Sequence, residues 1–125
     1  MSDRPWLEMY DDGVPKSIDY PEVPLFYFLE DNAQKFPDKT CTIFKGAKIS
    51  NKEMNDLTDR FAAGLADLGV KKGDRVGIFI PNTPQFVVAY FGALKAGAVV
   101  VATNPLYTAR EIEHQVNDAG VEVMV

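Results

Sequence analysis

The sequence is poor in cysteine and in histidine. Of its 125 residues, one is a cysteine, Cys41, and one is a histidine, His114. A disulfide needs two cysteines, and a zinc site in a protein usually needs three or four converging Cys, His or carboxylate ligands. The composition therefore excludes an internal disulfide and argues against a metal centre built on these side chains.

Long apolar runs and clusters of positive charge are also missing. The longest apolar stretch, residues 86–102, is broken by Lys95 and by two glycines, and it is too short for a membrane-spanning helix. The 13 basic and 18 acidic side chains give a net charge of −5, and no basic cluster offers the face that nucleic-acid phosphates require. We therefore expect neither a transmembrane segment nor a nucleic-acid partner.

The beginning of the chain is acidic and rich in proline. Residues 1–24 carry two basic and six acidic side chains together with four prolines, which is incompatible with a helix interior and typical of extended chain. The apolar core of a signal peptide is absent, which predicts a cytoplasmic location and leaves peripheral contact with a membrane open. We predict an extended acidic arm over residues 1–24 and a folded domain over residues 25–125.

The first part of this domain predicts a helix followed by a hairpin. Apolar residues recur at spacings of three and four over residues 25–36, as on one face of a helix, and Pro37 ends the pattern. β-branched residues then stand on both sides of Gly46, which predicts a short hairpin with strands over residues 40–44 and 48–50.

A capping-box pattern predicts the start of a second helix. Ser50 and Glu53 have the spacing of a capping box, in which each residue bonds to the backbone amide of the other, so the helix begins at Asn51. Gly69 predicts a left-handed cap at its end. The apolar residues expected to face the core are Met54, Leu57, Phe61, Leu65 and Leu68.

Three β-branched apolar runs follow, over residues 76–80, 98–102 and 121–125. The first two lack polar alternation, as expected for strands that are covered on both faces. The segments between the runs are each long enough for a helix, so the strands can be parallel with right-handed crossovers. The fold class is therefore predicted as α/β, with parallel βαβ units, flanking helices and a short N-terminal hairpin.

The two crossover helices differ in polarity. The first has Thr83 as its predicted N-cap, Pro84 at its first position and Gly97 at its end. Apolar residues surround its axis, so we predict that it is buried. The second, over residues 108–119, has one apolar stripe and a polar face. The stripe consists of Ala109, Ile112, Val116 and Ala119.

The last predicted strand coincides with the end of the chain. A three-stranded parallel sheet of this kind leaves apolar strand edges uncovered, which favours association with other polypeptide. We therefore expect the chain to be an N-terminal piece of a longer protein, and a homo-oligomer is left open.

Single reactive side chains do not predict a catalytic centre. His114 lies on the polar side of its helix without a local Ser, Cys or carboxylate partner, which favours a solvated histidine over a catalytic one. Cys41 has strand spacing and no basic neighbour, which favours a small buried residue over a nucleophile. Glu111 and Glu113 point to different sides of their helix and are interpreted as surface charges.

Two turns that join a strand to a helix are candidates for ligand contact. Residues 81–84 could place a helix N-terminus against an anion, but Pro84 removes one amide donor, so simple capping is the favoured alternative. The second turn contains Asn104, Pro105, Leu106 and Tyr107, whose apolar and aromatic side chains are candidates for a pocket wall. A packed turn is the alternative for that segment.

Several motifs resemble the opening of the acyl-adenylate-forming ligases. They comprise residues 32–39, 49–54, 68–76 and, most strongly, 94–101 followed by 104–118. The last run resembles the long-chain fatty acid:CoA ligase branch, and the similarity extends over residues 25–125. The resemblance implies that the chain is an incomplete piece of the large N-terminal domain of such a ligase.

The resemblance implies an enzyme that uses ATP, Mg²⁺ and coenzyme A. Such ligases convert a carboxylate into an acyl-adenylate and pyrophosphate, and the thiol of coenzyme A then displaces AMP. Their phosphate loop, ribose-binding acid and catalytic lysine do not occur in these 125 residues. We therefore assign no catalytic, cofactor or metal residue here, and we expect the chain alone to be inactive and free of cofactor. Its partners would be the remainder of the ligase chain and a fatty acid.

Two alternatives remain. The carboxylate could be of another kind, such as an aromatic acid. The chain could instead be a non-enzymatic α/β binding domain of the flavodoxin or receiver type. However, the predicted strands are followed by Pro81 and Thr103 rather than by the acids of a receiver, or by the Ser/Thr/Gly-rich turn of a flavin site.

Overall fold

The computed structural model describes residues 4–125. Four α-helices and five strands follow a short 3-10 helix at Pro5–Met9. In chain order they are α1 (Tyr27–Lys35), β1 (Thr40–Phe44), β2 (Ala47–Ser50), α2 (Asn51–Asp67), β3 (Arg75–Ile78), α3 (Pro84–Lys95), β4 (Val99–Ala102), α4 (Ala109–Ala119) and β5 (Val123–Met124). Among the described residues, no helix is both long and apolar enough to cross a membrane.

The three later strands form a parallel sheet in the order β4-β3-β5. Val76 of the central strand is aligned with Val100 on one side and with Val123 on the other. Val76 and Ile78 are fully buried on one face of this strand, and Gly77, on the other face, is buried as well, as expected for a strand covered on both faces. This confirms the predicted α/β fold class with parallel βαβ units, although the strands are shorter than the apolar runs.

The hairpin β1–β2 confirms the predicted pairing. The strands are antiparallel, with Ile43 opposite Lys48 and Phe44 opposite Ala47. The two turn residues, Lys45 and Gly46, both have positive φ, 48° and 84°. A two-residue hairpin turn of the I′ type requires this conformation at both positions.

Helix α2 begins at its predicted capping box. The Ser50 amide donates to Glu53 Oε2 at 2.8 Å, and the Glu53 amide donates to Ser50 Oγ at 3.2 Å. Hydrogen bonds to the Glu53 carboxylate from the Ser50 amide and from the Ser50 side chain lower the pKa of that carboxyl below its ordinary value. The capping-box prediction is therefore confirmed.

The face that α2 buries differs from the predicted one at its end. Met54 and Leu65 are buried, but Leu68 is 74% exposed, so the expectation that it faces the core is wrong. Leu68 follows the last helical turn, where Gly69 takes a φ of 91° and redirects the chain. Thr58 is fully buried instead, and its hydroxyl donates to the Asn55 carbonyl at 2.7 Å.

Helices α2 and α3 pack closely because Gly92 has no side chain. A Cβ atom on Gly92 would lie 2.7 Å from Phe61 Cδ1 and 3.0 Å from the Thr58 carbonyl oxygen. Within α3 only Gln85 is exposed. The predicted burial of this helix is therefore confirmed.

A buried lysine on α3 forms polar contacts with residues of α1 and α2. The side chain of Lys95 on α3 is 7% exposed. Its ammonium lies 2.6 Å from Asp59 Oδ1 and donates to Asn55 Oδ1 at 2.8 Å, both on α2, and lies 3.4 Å from Glu30 Oε1 on α1. The charge is therefore paired on the side where α1, α2 and α3 meet.

The N-terminal arm is exposed but not uniformly extended. Residues 5–9 form the 3-10 helix, because Pro5 occupies a first helical position where no amide donor is needed. The extended prediction is wrong for that stretch. Residues 1–3 of the predicted arm lie outside the described residues. Helix α1 begins at Tyr27, two residues after its predicted start, and the boundary at residue 24 stays a prediction.

Candidate functional site

Both predicted ligand turns lie at the carboxyl end of the sheet. One follows β3 and the other follows β4, and the Thr103 amide donates to the Ile78 carbonyl at 2.9 Å between them. From β3 the chain crosses to β4 on one side, and from β4 it crosses back to β5 on the other side. In open parallel sheets such a reversal of strand order creates a crevice at the carboxyl ends, where ligands bind. The topology therefore makes this end of the sheet the candidate site.

A groove of about 360 Å³ opens between the first turn and the hairpin. Its walls come from β1, from the turn and from the first turn of α3. They consist of Thr42, Ile43, Phe44, Asn82, Thr83, Pro84, Phe86 and Val87. The lining is mainly apolar and contains no basic side chain, so the groove suits an apolar group better than a phosphate.

The first turn caps α3 through its backbone. Thr83 has the extended conformation of an N-cap, as predicted, but its side chain makes no capping hydrogen bond. The Phe86 amide donates to the Thr83 carbonyl at 3.0 Å instead. Thr83 is therefore confirmed as the N-cap residue, and anion binding at residues 81–84 stays an untested prediction.

The second turn lies on the surface. The Leu106 amide donates to Asn104 Oδ1 and the Tyr107 amide donates to the Asn104 carbonyl, both at 3.0 Å. Leu106 is 87% exposed, and Asn104, Pro105 and Tyr107 are exposed as well. The turn is thus held by its own asparagine rather than by packing. The role of these four residues as a pocket wall stays a prediction.

Two buried polar atoms beside this turn were missed by the sequence analysis. Thr103 is 4% exposed, and its hydroxyl has no hydrogen-bond partner within residues 4–125. The Gln115 amide nitrogen donates to the Ala102 carbonyl at 3.2 Å, while its Oε1 is buried without a partner in the same part of the chain. A threonine that directly follows an apolar strand was the available signal for the first.

The single reactive side chains take the places expected of them. His114 is exposed on α4. Cys41 is partly buried, and burial raises the pKa of its thiol, which keeps it protonated and unreactive at neutral pH. Glu111 accepts hydrogen bonds from the Thr108 amide and hydroxyl, both at 2.7 Å, and these bonds lower the pKa of its carboxyl. Glu111 therefore caps α4 and is not paired with Glu113.

No cluster of three metal-ligating side chains is found among residues 4–125. Magnesium binds carboxylate oxygens together with substrate phosphates. Within residues 4–125, no three His, Cys, Asp or Glu side chains converge. The residues that line the groove beside α3 include no basic side chain. The groove beside α3 therefore offers a phosphate no cationic partner.

Comparison with known proteins gives consistent matches. The family described as AMP-binding enzyme matches residues 29–125. The long-chain-fatty-acid–CoA ligase of Bacillus subtilis is 44% identical over 126 residues, which cover 99% of this chain and 22% of that protein. Triostin synthetase I of Streptomyces triostinicus is 32% identical over 116 residues, or 93% of this chain and 22% of that protein. The chain thus spans about a fifth of the length of the curated relatives it matches.

A solved structure has the same fold. The N-terminal subdomain of Klebsiella oxytoca NpsA, in complex with 3-hydroxyanthranilyl-AMSN, superimposes with a TM-score of 0.78 at 29% identity. The match covers 81% of this chain and 26% of that chain. Sequence, topology and this likeness agree, and the chain belongs to the AMP-binding enzyme family.

Proposed function

We propose that the chain is part of a long-chain fatty acid:CoA ligase. The observation that carries this proposal is the 44% identity to a ligase of that name over nearly the whole chain. The parent enzyme would join a fatty acid carboxylate to AMP from ATP with release of pyrophosphate. The thiol of coenzyme A would then take the acyl group and release AMP. ATP, Mg²⁺ and coenzyme A belong to the parent, and its location is proposed to be cytoplasmic.

This chain would contribute the scaffold of that enzyme rather than its reacting groups. The sheet sets two turns side by side at its carboxyl end, where a crevice is expected. The exposed Leu106 and the half-exposed Tyr107 offer apolar surface there, which suits an acyl chain and not a phosphate. We propose that Asn104, Pro105, Leu106 and Tyr107 form one wall of the acyl pocket, which the remainder of the ligase chain would complete.

The first experiment measures the substrate preference of the complete parent enzyme. Pyrophosphate release from ATP with Mg²⁺ is compared across acetate, medium and long fatty acids, aromatic acids and amino acids. We expect the medium and long fatty acids to react fastest. Exclusive use of an amino acid would refute the proposal. The 125-residue chain alone should release no pyrophosphate, and turnover like that of the complete enzyme would refute its scaffold role.

The second experiment tests the pocket wall in the parent. Replacing Leu106 by Ala removes apolar contact with a long acyl chain, so KM for a long fatty acid should rise about tenfold, while KM for a short acid should change little. Leu68→Ala is the matched control, because Leu68 is similarly exposed but lies at the end of α2. An equal change for both acids, or for both variants, would contradict the pocket-wall assignment.

An aromatic acid is the second candidate substrate. It is favoured by one observation, the likeness to NpsA, whose solved complex holds a 3-hydroxyanthranilyl group. Exclusive turnover of aromatic acids in the same panel would select this candidate. Family membership gives no support to the flavodoxin-like or receiver-like alternative.

A further inference from the structure

We propose that Gln115 is a positioning residue for the proposed acyl pocket. It lies on α4 and holds in place the turn of residues 104–107, called the wall turn below, whose side chains are the proposed pocket wall. The inference rests on the proposed ligase function for the role of the wall turn, and on the geometry of α4 for the role of Gln115. Through the wall turn, Gln115 sets the preference for a long acyl chain.

The peptide unit that precedes the wall turn is held from both sides. It joins Ala102, the last residue of β4, to Thr103. In a planar trans peptide the carbonyl and the amide point in opposite directions. The Thr103 amide donates to the Ile78 carbonyl on β3 at 2.9 Å, so the Ala102 carbonyl points away from β3, towards the edge of the sheet formed by the described residues. There the Gln115 amide nitrogen donates to it at 3.2 Å, and Gln115 thus fixes the peptide from which the wall turn starts.

Helix α4 holds the other end of the wall turn as well. Directly after the turn, the Thr108 amide and hydroxyl both donate to Glu111 at 2.7 Å. Glu111 and Gln115 are four residues apart and therefore lie on the same face of the helix. One face of α4 thus bonds to the chain before and after the wall turn, at Ala102 and at Thr108.

The wall turn itself is placed by these bonds more than by packing. All four of its residues are exposed. The Leu106 and Tyr107 amides both donate to Asn104, one to its side chain and one to its carbonyl, which fixes the shape of the turn but not its place on the sheet. Its position relative to the sheet therefore depends on the bonds at its two ends.

Stability alone does not explain a glutamine at position 115. Gln115 is partly buried, as are its apolar neighbours Ile112 and Val116. Its Oε1 atom is buried and has no hydrogen-bond partner within residues 4–125, and a buried oxygen of this kind lowers stability. An apolar side chain of the same length would avoid that loss but could not donate to the Ala102 carbonyl. The amide nitrogen is therefore the group that accounts for glutamine here.

The first test follows the wall turn by amide hydrogen exchange in the complete parent enzyme. Gln115→Met keeps the length of the side chain and removes the donor. The amides of residues 103–108 should then exchange about two- to tenfold faster, as expected for the loss of one hydrogen bond. The Tm of the enzyme should not fall, because the unpartnered Oε1 atom is removed as well.

The second test measures KM and kcat of the same variant with a long and a short fatty acid. A displaced wall turn weakens contact with the long chain alone. KM for the long acid should therefore rise about two- to fivefold, while KM for the short acid should change little. A partly unfolded enzyme would instead have a lower kcat with both acids and unchanged KM values, and that result would overturn the proposal.

Gln34→Met is the matched control. It makes the same chemical change at an exposed position of α1. This variant should leave the exchange of residues 103–108 and both KM values unchanged. Equal effects of Gln34→Met and Gln115→Met would overturn the proposal.

The two tests together separate a failure of this proposal from a failure of the proposed function. Unchanged exchange over residues 103–108 in Gln115→Met would refute the positioning role. Faster exchange with an unchanged KM for the long acid would also refute it, if Leu106→Ala does raise that KM. If exchange is faster and neither variant raises that KM, Gln115 positions the turn, and the pocket wall of the proposed function is what fails.

Discussion

The α2–α3 side of the molecule and its α4–β5 side differ in how completely they are covered. Helix α2 buries Met54, Thr58 and Leu65, and α3 buries Ala89, Gly92 and Ala93. Helix α4 has no buried residue, and Met124 of β5 is 39% exposed. Since buried apolar area is the main source of stability, the first side holds the fold together. The second side offers apolar surface to other polypeptide.

The largest effect is expected from a methyl group added between α2 and α3. Gly92→Ala should lower the free energy of unfolding by about 1 to 3 kcal/mol, because the new Cβ meets Phe61 and the Thr58 backbone. Gly64→Ala is the matched control in α2, where a Cβ would meet nothing within 4 Å. It should raise stability by about 0.5 to 1 kcal/mol, as alanine favours the helix.

Denaturant unfolding of both variants measures this contrast. A destabilisation of similar size at the two glycines would contradict the expectation that Gly92, at the α2–α3 contact, is more tightly packed than Gly64. Changes of opposite sign in the free energy of unfolding, produced by the same Gly→Ala substitution, would show that Gly92 is tightly packed and Gly64 is not.

The next effect concerns the ion-pair cluster on the same side. Lys95→Met keeps the length of the side chain but removes its bonds to Asp59 and Asn55. Asp59 is 55% exposed and Glu30 40% exposed, so both carboxylates regain water. We therefore expect a moderate loss of about 1 to 2 kcal/mol.

Lys52→Met is the control for that variant. Lys52 pairs with Asp56 within one exposed helix, and such pairs contribute little. Chemical denaturation should detect no change for Lys52→Met. If the two lysine variants behaved alike, the Lys95 cluster would not join the three helices.

The α4–β5 side should promote self-association of the chain. An apolar groove of about 410 Å³ runs between the end of α2 and β5, with Leu68 and Met124 on its walls. We expect the chain to self-associate and to bind a hydrophobic dye at tens of micromolar. Leu68→Glu should weaken association at least about tenfold, because the contact would bury an unpaired carboxylate. The stability should change little, since Leu68 is exposed.

Sedimentation velocity is the measurement, with Leu106→Glu as the control at a similarly exposed site outside this groove. A compact monomer that does not bind the dye would contradict the expectation. Equal weakening by both glutamates would show that added charge alone keeps the chains apart.

Features of the fold that depend on neighbouring residues could be predicted from the sequence. Local patterns predicted the capping box at Ser50, the hairpin turn and the parallel strands, since each depends on neighbouring residues or on one period. The periodicity of apolar residues could not show that α2 ends at Asp67. Leu68 therefore does not continue the buried face of the helix and is exposed. The periodicity also passed over Thr58, whose burial depends on a hydroxyl bond to the Asn55 carbonyl.

The candidate site was predicted less completely than the fold. The positions of both strand-to-helix turns were predicted, because they follow from the strand ends. The groove was not predicted, because it joins Ile43 of the hairpin to Phe86 of α3. These residues are far apart in the sequence, and no local pattern indicates that they meet. The buried hydroxyl of Thr103 likewise follows from tertiary packing.

The smallest effect is a pH dependence that should differ between the two sides. The carboxyls of Glu53 and Glu111 each have a pKa below the ordinary 4.5, because each accepts hydrogen bonds at a helix start. Because the pKa is lower in the folded state, the ionised carboxylate stabilises the folded protein at pH values above the ordinary pKa. This stabilisation is lost as the pH falls through the folded-state value. Acidification below about pH 4.5 should therefore weaken both caps.

The two caps should report on different events. Glu53 begins the well-covered α2, so Glu53→Gln should reduce the acid dependence of global unfolding. Glu111 begins α4, which buries no residue, so Glu111→Gln should reduce the acid dependence of local opening in α4. Amide hydrogen exchange along α4 measures the second effect and denaturant unfolding the first. If Glu111→Gln altered global unfolding as much as Glu53→Gln does, α4 would be as firmly attached as α2, and the contrast between the two sides would fail.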